Sequence, residues 1–416
     1  MIDWKPFSAK ALDFIECSNA RLNILYGAVR SSKTINCTVR WLDYMVSGPE
    51  GDLAMFGKTT ATLQRNVLND LFDIVGPRNY KWLNRQQGEL KVFNRRIYCF
   101  GANNEDAESK IRGATFAGAL CDEVNLYPQS VFNQLMARMS VAGALCFCNC
   151  NPDSPYHWFN VNYIRNDEIT DKKVWKFLMD DNLSLDADYI RSLKQMYKGV
   201  WYDRMINGDW VAAEGRIYDM YEPSKHKIET SEAIKQSGVN PLAIRWVVGC
   251  DYGTSTVMSW GLYAKLPNGN VYKTREFYWD APKEQQQKTD SEFANDFVKW
   301  LDGLTPVAVY VDPSAASWKL ELIRRGYVVL NADNDVINGI RYVGSMLSMD
   351  KYFIDESCKN TDSEYVSYAW DSKAQLKGKD QPLKVHDHAC DTDRYALYTD
   401  SQGDLTGVYS VKTVRR

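Results

Sequence analysis

The sequence predicts an α/β protein in two parts, each built round its own sheet: a parallel sheet in the N-terminal part, a mixed sheet in the C-terminal part. Three observations carry this. Residues 22–150 alternate short apolar runs with helix-period patterns, the signature of a parallel α/β sheet. Past residue 240, three strand-like runs follow one another, two of them joined by the turn Pro267-Asn268-Gly269-Asn270, before helices intervene. Between the two parts, Ala213-Glu214-Gly215 and the polar stretch Ser224–Asn240 look like a connection. The expected division is 1–212, a linker over 213–240, and 241–416.

Composition sets the bounds. The chain has 416 residues, 45% hydrophobic and 25% charged, an ordinary globular make-up that excludes disorder and collagen-like architecture. Fifty Lys and Arg against 53 Asp and Glu leave a net charge of −3. No global basic field announces a nucleic-acid partner, although a local basic channel stays open. No run approaches the roughly 18 apolar residues of a membrane span, and Met1-Ile2-Asp3-Trp4-Lys5 is no signal peptide. Ten cysteines without framework spacing suit a reducing compartment.

The first element with chemistry in it is the strand Leu22–Tyr26. It runs into Gly27-Ala28-Val29-Arg30-Ser31-Ser32-Lys33-Thr34, and a helical pattern follows (Val39, Leu42, Met45, Val46). A loop wrapped on a helix N-terminus turns backbone N–H groups towards phosphate oxygens. Lys33 adds a point charge at the β and γ phosphates, and the Thr34 hydroxyl is placed to ligate Mg²⁺. Gly27, Arg30, Ser31, Ser32, Lys33 and Thr34 are thus candidates for holding ATP. A further apolar run, Phe116–Cys121, ends in Asp122-Glu123. Acids at the end of a buried strand are costly unless used. Asp122 would hold Mg²⁺ and Glu123 would polarise the attacking water.

A third run, Leu145–Cys150, exits through Asn149, Asn151 and Pro152. Its asparagines either sense the γ-phosphate or make an Asx turn before Pro152. Cys146, Cys148 and Cys150 share one strand face. Their spacing is not that of a zinc site and reads as buried thiols. Arg30, Arg65, Arg112 and Arg138 could each meet phosphate or a neighbouring subunit's ATP, or simply face solvent. Residues 155–212 are mixed and aromatic, with helical spacing around Tyr189–Tyr202.

In the second part, strands are expected over 245–251, 256–264 and Val271–Tyr278. Helix Ser291–Leu301, strand Val307–Val311, a short strand Tyr352-Phe353-Ile354 and a last helix over 386–398 follow. A three-strand meander, then helix-separated strands, then a C-terminal helix is a ribonuclease H-like order. Asp251 and Asp312 leave their strands at the carboxyl end, where α/β sheets gather active sites. His388 and Asp391, three apart, share a helix face. Two Mg²⁺ or Mn²⁺ ions, about 3.5–4 Å apart, would activate a water and stabilise the leaving oxygen of a phosphodiester. Such hard ions want carboxylate oxygens. Within the helix Asp393 rivals Asp391, since it lies with Ala389, Cys390, Ala396 and Leu397 by helical spacing.

Taken together the chain resembles the large terminase subunits of tailed bacteriophages. The matching stretches are Gly27–Thr34, Ile111-Arg112-Gly113, Cys121-Asp122-Glu123, Asn151–Trp158, Asp181-Asn182, Gly208-Asp209-Trp210, Glu214-Gly215, Asp251-Tyr252-Gly253, Asn331–Ile340 and Asp387–Asp391. The resemblance implies an ATPase motor over 1–212 joined to a ribonuclease H-like nuclease over 241–416. Such proteins cut concatemeric viral DNA and drive it through a portal ring into a procapsid in the host cytoplasm, as a ring of copies, with a small terminase subunit choosing the DNA. It also implies that Lys33, Thr34 and Asp122 bind ATP and Mg²⁺ and that Glu123 is catalytic. Asn149 or Asn151 would couple hydrolysis to movement. Asp251, Asp312 and Asp391, with His388 beside them, would hold the nuclease ions. Ser32 departs from the family's loop glycine. Lys10-Ala11 stand where an adenine-reading glutamine is common, and Asp393 replaces an apolar residue. A repair helicase-nuclease would share both chemistries, but residues 155–240 hold no run of further helicase motifs; intact acids argue against a merely structural role. The basic tail Val411–Arg416 reads as a portal or DNA contact, or as a frayed end.

Overall fold

The computed structural model describes residues 6–406. The expectations placed on Met1–Lys5 and on the tail Val411–Arg416 lie outside the described residues. The chain divides into two compact units. One runs up to Lys194 and includes Gly199–Ala213 and Gln375–Lys379; the other comprises Gln195–Lys198, Glu214–Ala374 and the chain from Asp380 on.

The first unit holds eight strands: β1 (Leu22–Gly27), β2 (Leu53–Gly57), β3 (Tyr80–Asn84), β4 (Glu89–Val92), β5 (Arg95–Gly101), β6 (Gly118–Cys121), β7 (Leu145–Cys150) and β8 (Lys172–Phe177). Their order is β3-β4-β5-β2-β6-β7-β1-β8. From β5 to β8 every pairing is parallel. β2 and β6 are buried along their whole length because apolar packing covers both faces. On one face Trp41, Tyr44 and Met45, from the helix Lys33–Ser47, pack with Leu25 and Phe147. On the other, Ile24, Cys148 and Phe159 pack with Phe132 and Leu135 of the helix Gln129–Arg138.

Two features depart from the parallel alternation read in the sequence. β3, β4 and β5 form an antiparallel meander at one edge; its first turn, Arg85–Gly88, closes on Gly88 at φ 71°. β8 extends the sheet beyond β1, although lysines at three of its six positions mask its apolar pattern in the sequence.

The second unit holds seven strands: β9 (Lys227–Ile228), β10 (Arg245–Asp251), β11 (Val257–Lys265), β12 (Val271–Asp280), β13 (Ala308–Val311), β14 (Val329–Asn331) and β15 (Tyr352–Asp355), in the order β14-β13-β10-β11-β12-β15-β9. β10, β11 and β12 are an antiparallel meander, and β13 and β14 add in parallel beside β10. Third, second, first, fourth, fifth is the ribonuclease H-like order, with β15 and β9 added beyond β12. The Asn-Gly turn joins β11 to β12, with Gly269 at φ 85°. The helix Asp290–Leu301 starts on a reciprocal Thr289–Glu292 capping box.

The last helix, His388–Thr406, lies against β10 and β11 and extends well past residue 398. An ideal Cβ on Gly249 would stand 2.3 Å from the Thr392 carbonyl oxygen, so only glycine admits so close an approach of helix to strand. The stretch 213–240 is more than a connection. It carries the helices Pro223–His226 and Thr230–Gln236 and the edge strand β9. Its Ile228, Ala233, Ile234 and Val239 pack on Ala264, Leu266 and Tyr272, apolar contacts masked in the sequence by the polar residues between them.

Candidate functional site

Because β1, β6 and β7 run parallel, their carboxyl ends deliver Gly27, Asp122 and Asn149 to one edge of the first sheet. The loop leaves β1 at Gly27, φ 136°, where an ideal Cβ would stand 2.0 Å from the Phe177 carbonyl oxygen. It is then pinned from outside. Ala28 N–H donates to Phe177 O (2.8 Å), Val29 N–H to Met205 O (2.8 Å) and Asn182 Nδ2 to Arg30 O (2.7 Å). Arg30 and Ser32 both take left-handed φ, 57° and 62°. At Ser32 this is the conformation the missing glycine would take freely. Asn36 Nδ2 donates to the Ser32 hydroxyl (3.1 Å) and so secures it.

Lys33 is buried with its ammonium turned into the loop. Nζ donates to Gly27 O (3.2 Å), Ala28 O (2.5 Å), Ser31 Oγ (3.1 Å) and Asn151 Oδ1 (3.0 Å). Burial lowers its pKa to about 8. Thr34 Oγ1 donates to Asp122 Oδ1 (3.3 Å), which also accepts from Asn149 Nδ2 (2.9 Å), while Oδ2 accepts from Asn66 Nδ2 (3.2 Å). Burial pushes the Asp122 carboxyl up against the pull of these donors.

Glu123 holds a left-handed backbone, φ 57°, and its N–H donates to Asn149 Oδ1 (3.2 Å). Burial, and then the charge of Asp122, raise its carboxyl above the ordinary range, while Lys58 and Arg65 oppose the rise. One asparagine therefore ties both acids together, and Asn151 ties the lysine to the next strand. Arg112 instead pairs with Glu108 on the exposed surface (2.9 Å). No motif in the sequence marks Lys58 or Asn66, and Asn182 stands out there only within a stretch that resembles the family. The buried Lys33 ammonium is held by neutral oxygens, so its charge is one that a polyphosphate with its Mg²⁺ would balance, and this sheet edge fits that ligand.

Beneath this edge, the Cys121, Cys146 and Cys148 thiols lie within 4.8 Å of one another, all buried in apolar packing. Cys150 is not among them. All ten cysteines are free thiols.

In the second unit, Asp251 and Asp312 leave neighbouring parallel strands at the same level, since Cys250 pairs with Val311. The last helix brings His388 Nδ1 to 2.7 Å from Asp251 Oδ2 in a hydrogen-bonded pair. Asp391 Oδ1 accepts from Arg394 Nη2 (2.8 Å), and Lys384 Nζ stands 4.0 Å from its other oxygen. Asp312 accepts from Tyr395 Oη (2.9 Å) and from the Ser314 N–H (2.7 Å) and hydroxyl (2.5 Å). The last helix reaches Asp251 through His388 and Asp312 through Tyr395 and carries Asp391 itself, so the three acids face one region.

They are not drawn into one cluster: their oxygens do not all lie within 4.8 Å of one another. Each carboxylate has turned to a donor of its own. Burial, His388 notwithstanding, pushes the Asp251 carboxyl up, and the charges of Asp391 and Asp387 add to this. Burial pulls the His388 imidazole down, but its hydrogen bond to Asp251 and that residue's charge hold it above its ordinary value. Burial likewise raises Asp312, and the Ser314 and Tyr395 donors outweigh it, leaving the carboxyl below its ordinary value. Asp251 still bears the charges of Asp391 and Asp387, and carboxylate oxygens that face one region suit a hard divalent cation such as Mg²⁺ or Mn²⁺. Asp393 points the other way, fully buried, to Lys273 Nζ (2.5 Å).

The family described as "Terminase large subunit, T4likevirus-type, N-terminal" matches residues 46–222. No curated protein matches the chain. Among solved structures, the large terminase of a thermophilic bacteriophage is 38% identical and superposes with a TM-score of 0.87, over 95% of this chain and 99% of that one. The same phage's enzyme in complex with ADP and with ATP-gamma-S superposes with TM-scores of 0.85 and 0.84, each at 37% identity over the same shares. With more than a third of its residues identical across nearly the whole of both chains, this protein belongs to the large terminase subunits of bacteriophages.

Proposed function

We propose that this terminase hydrolyses ATP to drive double-stranded DNA into a procapsid and cuts concatemeric DNA by metal-dependent phosphodiester hydrolysis. The observation that carries the proposal is the convergence of Lys33, Thr34, Asp122 and Glu123 at one sheet edge, with Asn149 joining the two acids. The thermophilic phage enzyme's complexes with ADP and ATP-gamma-S support nucleotide as the ligand. In this reading the N–H groups of the loop and Lys33 bind the phosphates, Thr34 and Asp122 hold Mg²⁺, and Arg30 lies at the rim. Glu123, left-handed and part-buried, orients a water and takes its proton. Asn149 or Asn151 passes the change at the phosphates into the sheet.

In the second unit Asp251, Asp312 and Asp391 would hold two ions, Mg²⁺ or Mn²⁺, with His388 beside Asp251. Such ions supply an activated water and neutralise the leaving oxygen. The chain's own part is to aim the carboxylates, and the His388 hydrogen bond opposes the upward push of burial on the Asp251 carboxyl. Double-stranded DNA, a small terminase subunit, the portal and further copies of this chain in a ring on the procapsid are the proposed partners, in the host cytoplasm.

Paired variants of the full chain test the reading. Glu123→Gln should bind ATP and hydrolyse it at least about a hundredfold more slowly, within the range general-base catalysis contributes, while Mn²⁺-dependent cutting persists. Asp251→Ala should do the reverse. Loss of both activities in either variant, or of neither, contradicts two separate sites.

A further inference from the structure

The helix His388–Thr406 carries His388 and Asp391 on one side and a second carboxylate, Asp393, on the other. Asp393 is 0% exposed and accepts from Lys273 Nζ (2.5 Å), Tyr365 Oη (2.6 Å), Tyr352 Oη (2.9 Å) and Tyr263 Oη. These donors come from β11, β12, β15 and the helix Lys359–Ser367. Lys273 is equally buried, and it donates further to Thr361 Oγ1 (2.6 Å). One turn nearer the start of the last helix sits a second buried acid. Glu364 Oε2 accepts from the Ala389 and Cys390 N–H groups (2.7 and 3.1 Å) and Oε1 from Tyr278 Oη (2.9 Å). Glu364 is itself set from β12: Glu276 accepts from the Asn360 and Thr361 N–H groups (2.8 and 3.0 Å), which fixes the start of the helix that carries Glu364.

We infer that Glu364 and Asp393 form a buried carboxylate clamp that sets the height and rotation of the last helix, and so positions His388 and Asp391 against Asp251. Stability alone does not call for such an arrangement, because a buried ion pair is commonly matched or bettered by apolar packing. What the clamp adds is direction. An apolar contact tolerates a slide or a few degrees of roll, whereas four donors on one carboxylate and two backbone N–H groups on the other do not. Metal ligands on a helix need that constancy to a fraction of an ångström. Both acids are positioning residues; their lone pairs are turned to the protein's own donors. The inference rests on the nuclease reading above.

The test is Mn²⁺ binding by calorimetric titration of the full chain, alongside DNA cutting, ATP turnover and thermal unfolding. Asp393→Asn and Glu364→Ala should each weaken Mn²⁺ binding by about tenfold or more, as loss of partners behind metal ligands does. Cutting should recover to within a few-fold at saturating Mn²⁺, and ATP turnover should stay at the wild-type rate. Glu364→Gln keeps an oxygen for the two N–H groups and should lie nearer wild type than the alanine variant. Tyr365→Phe and Tyr352→Phe retain their rings and each remove one donor; about threefold weakening is expected of them, one hydrogen bond's worth, and they decide the matter if Asp393→Asn does not fold. Wild-type Mn²⁺ affinity in folded Asp393→Asn, or in both tyrosine variants, overturns the inference. A wild-type chain that takes up no Mn²⁺ and cuts no DNA removes the nuclease reading itself, and the clamp's role with it.

Discussion

Ser32 and Gly27 sit five residues apart in the phosphate loop, both at positive φ, and respond oppositely to substitution. Ser32 has room for its side chain and pays only the left-handed backbone, about 1–2 kcal/mol. Ser32→Gly removes that cost but gains about 0.5–1 kcal/mol of unfolded-state entropy and loses the bond from Asn36. The variant should therefore unfold within about 1 kcal/mol of wild type and keep its ATP turnover. Gly27→Ala has no such latitude, because its Cβ would overlap the Phe177 carbonyl. Denaturant unfolding should reveal a loss of at least about 2 kcal/mol, in the range of strained backbone substitutions, and nucleotide binding should go with it. Wild-type behaviour in Gly27→Ala would mean the loop is not anchored on β8.

Among the elements, the last helix is tied to the second sheet by Asp400, which is 0% exposed and bonded to Arg245 of β10 (2.7 Å), Tyr310 of β13 (2.5 Å) and Lys265 of β11. Burial pushes its carboxyl up, but the Lys265 and Tyr310 hydrogen bonds and the charges of Lys265 and Arg245 outweigh that, leaving it below its ordinary value. A carboxyl depressed in the fold contributes fully above its unfolded pKa, about 3.9, and loses that contribution as pH falls through the folded value. Asp400→Asn should thus unfold at lower temperature at pH 7, by the equivalent of about 3–5 kcal/mol for a broken buried pair. The gap to wild type should narrow below about pH 4; a gap that stays constant with pH would show that charge is not what Asp400 contributes. The strands beside it were legible because β10 and β13 are apolar runs that stop at an acid. β8 was not, since its lysines interrupt the apolar pattern, and β9, at two residues, is too short for any period to register. Asp393's inward face followed from helical spacing, but its counter-charge, Lys273, lies 120 residues away in sequence, beyond any local pattern. The acids of the candidate sites were legible for the same reason as their strands. Their hydrogen-bond partners Asn66, Tyr395 and Arg394 were not, because they are fixed only once the elements pack.

For the molecule as a whole, a net charge of −3 would leave the proposed DNA binding to local contacts with phosphates. Affinity for duplex DNA should then fall linearly with salt on logarithmic axes, with a slope of about −0.9 per phosphate contacted; an affinity indifferent to salt would point to contacts of another kind. Each unit of the polypeptide carries its own set of oxygen ligands, and in the second the three aspartates have each turned to a partner of their own, so that a shared ion would have to draw them together. Anomalous diffraction from crystals of the full chain soaked in Mn²⁺ tests it directly. Manganese peaks bounded by Asp251, Asp312 and Asp391, with Asp393 still on Lys273, are the expected result. Manganese absent from those three carboxylates at concentrations that support cutting would contradict the account.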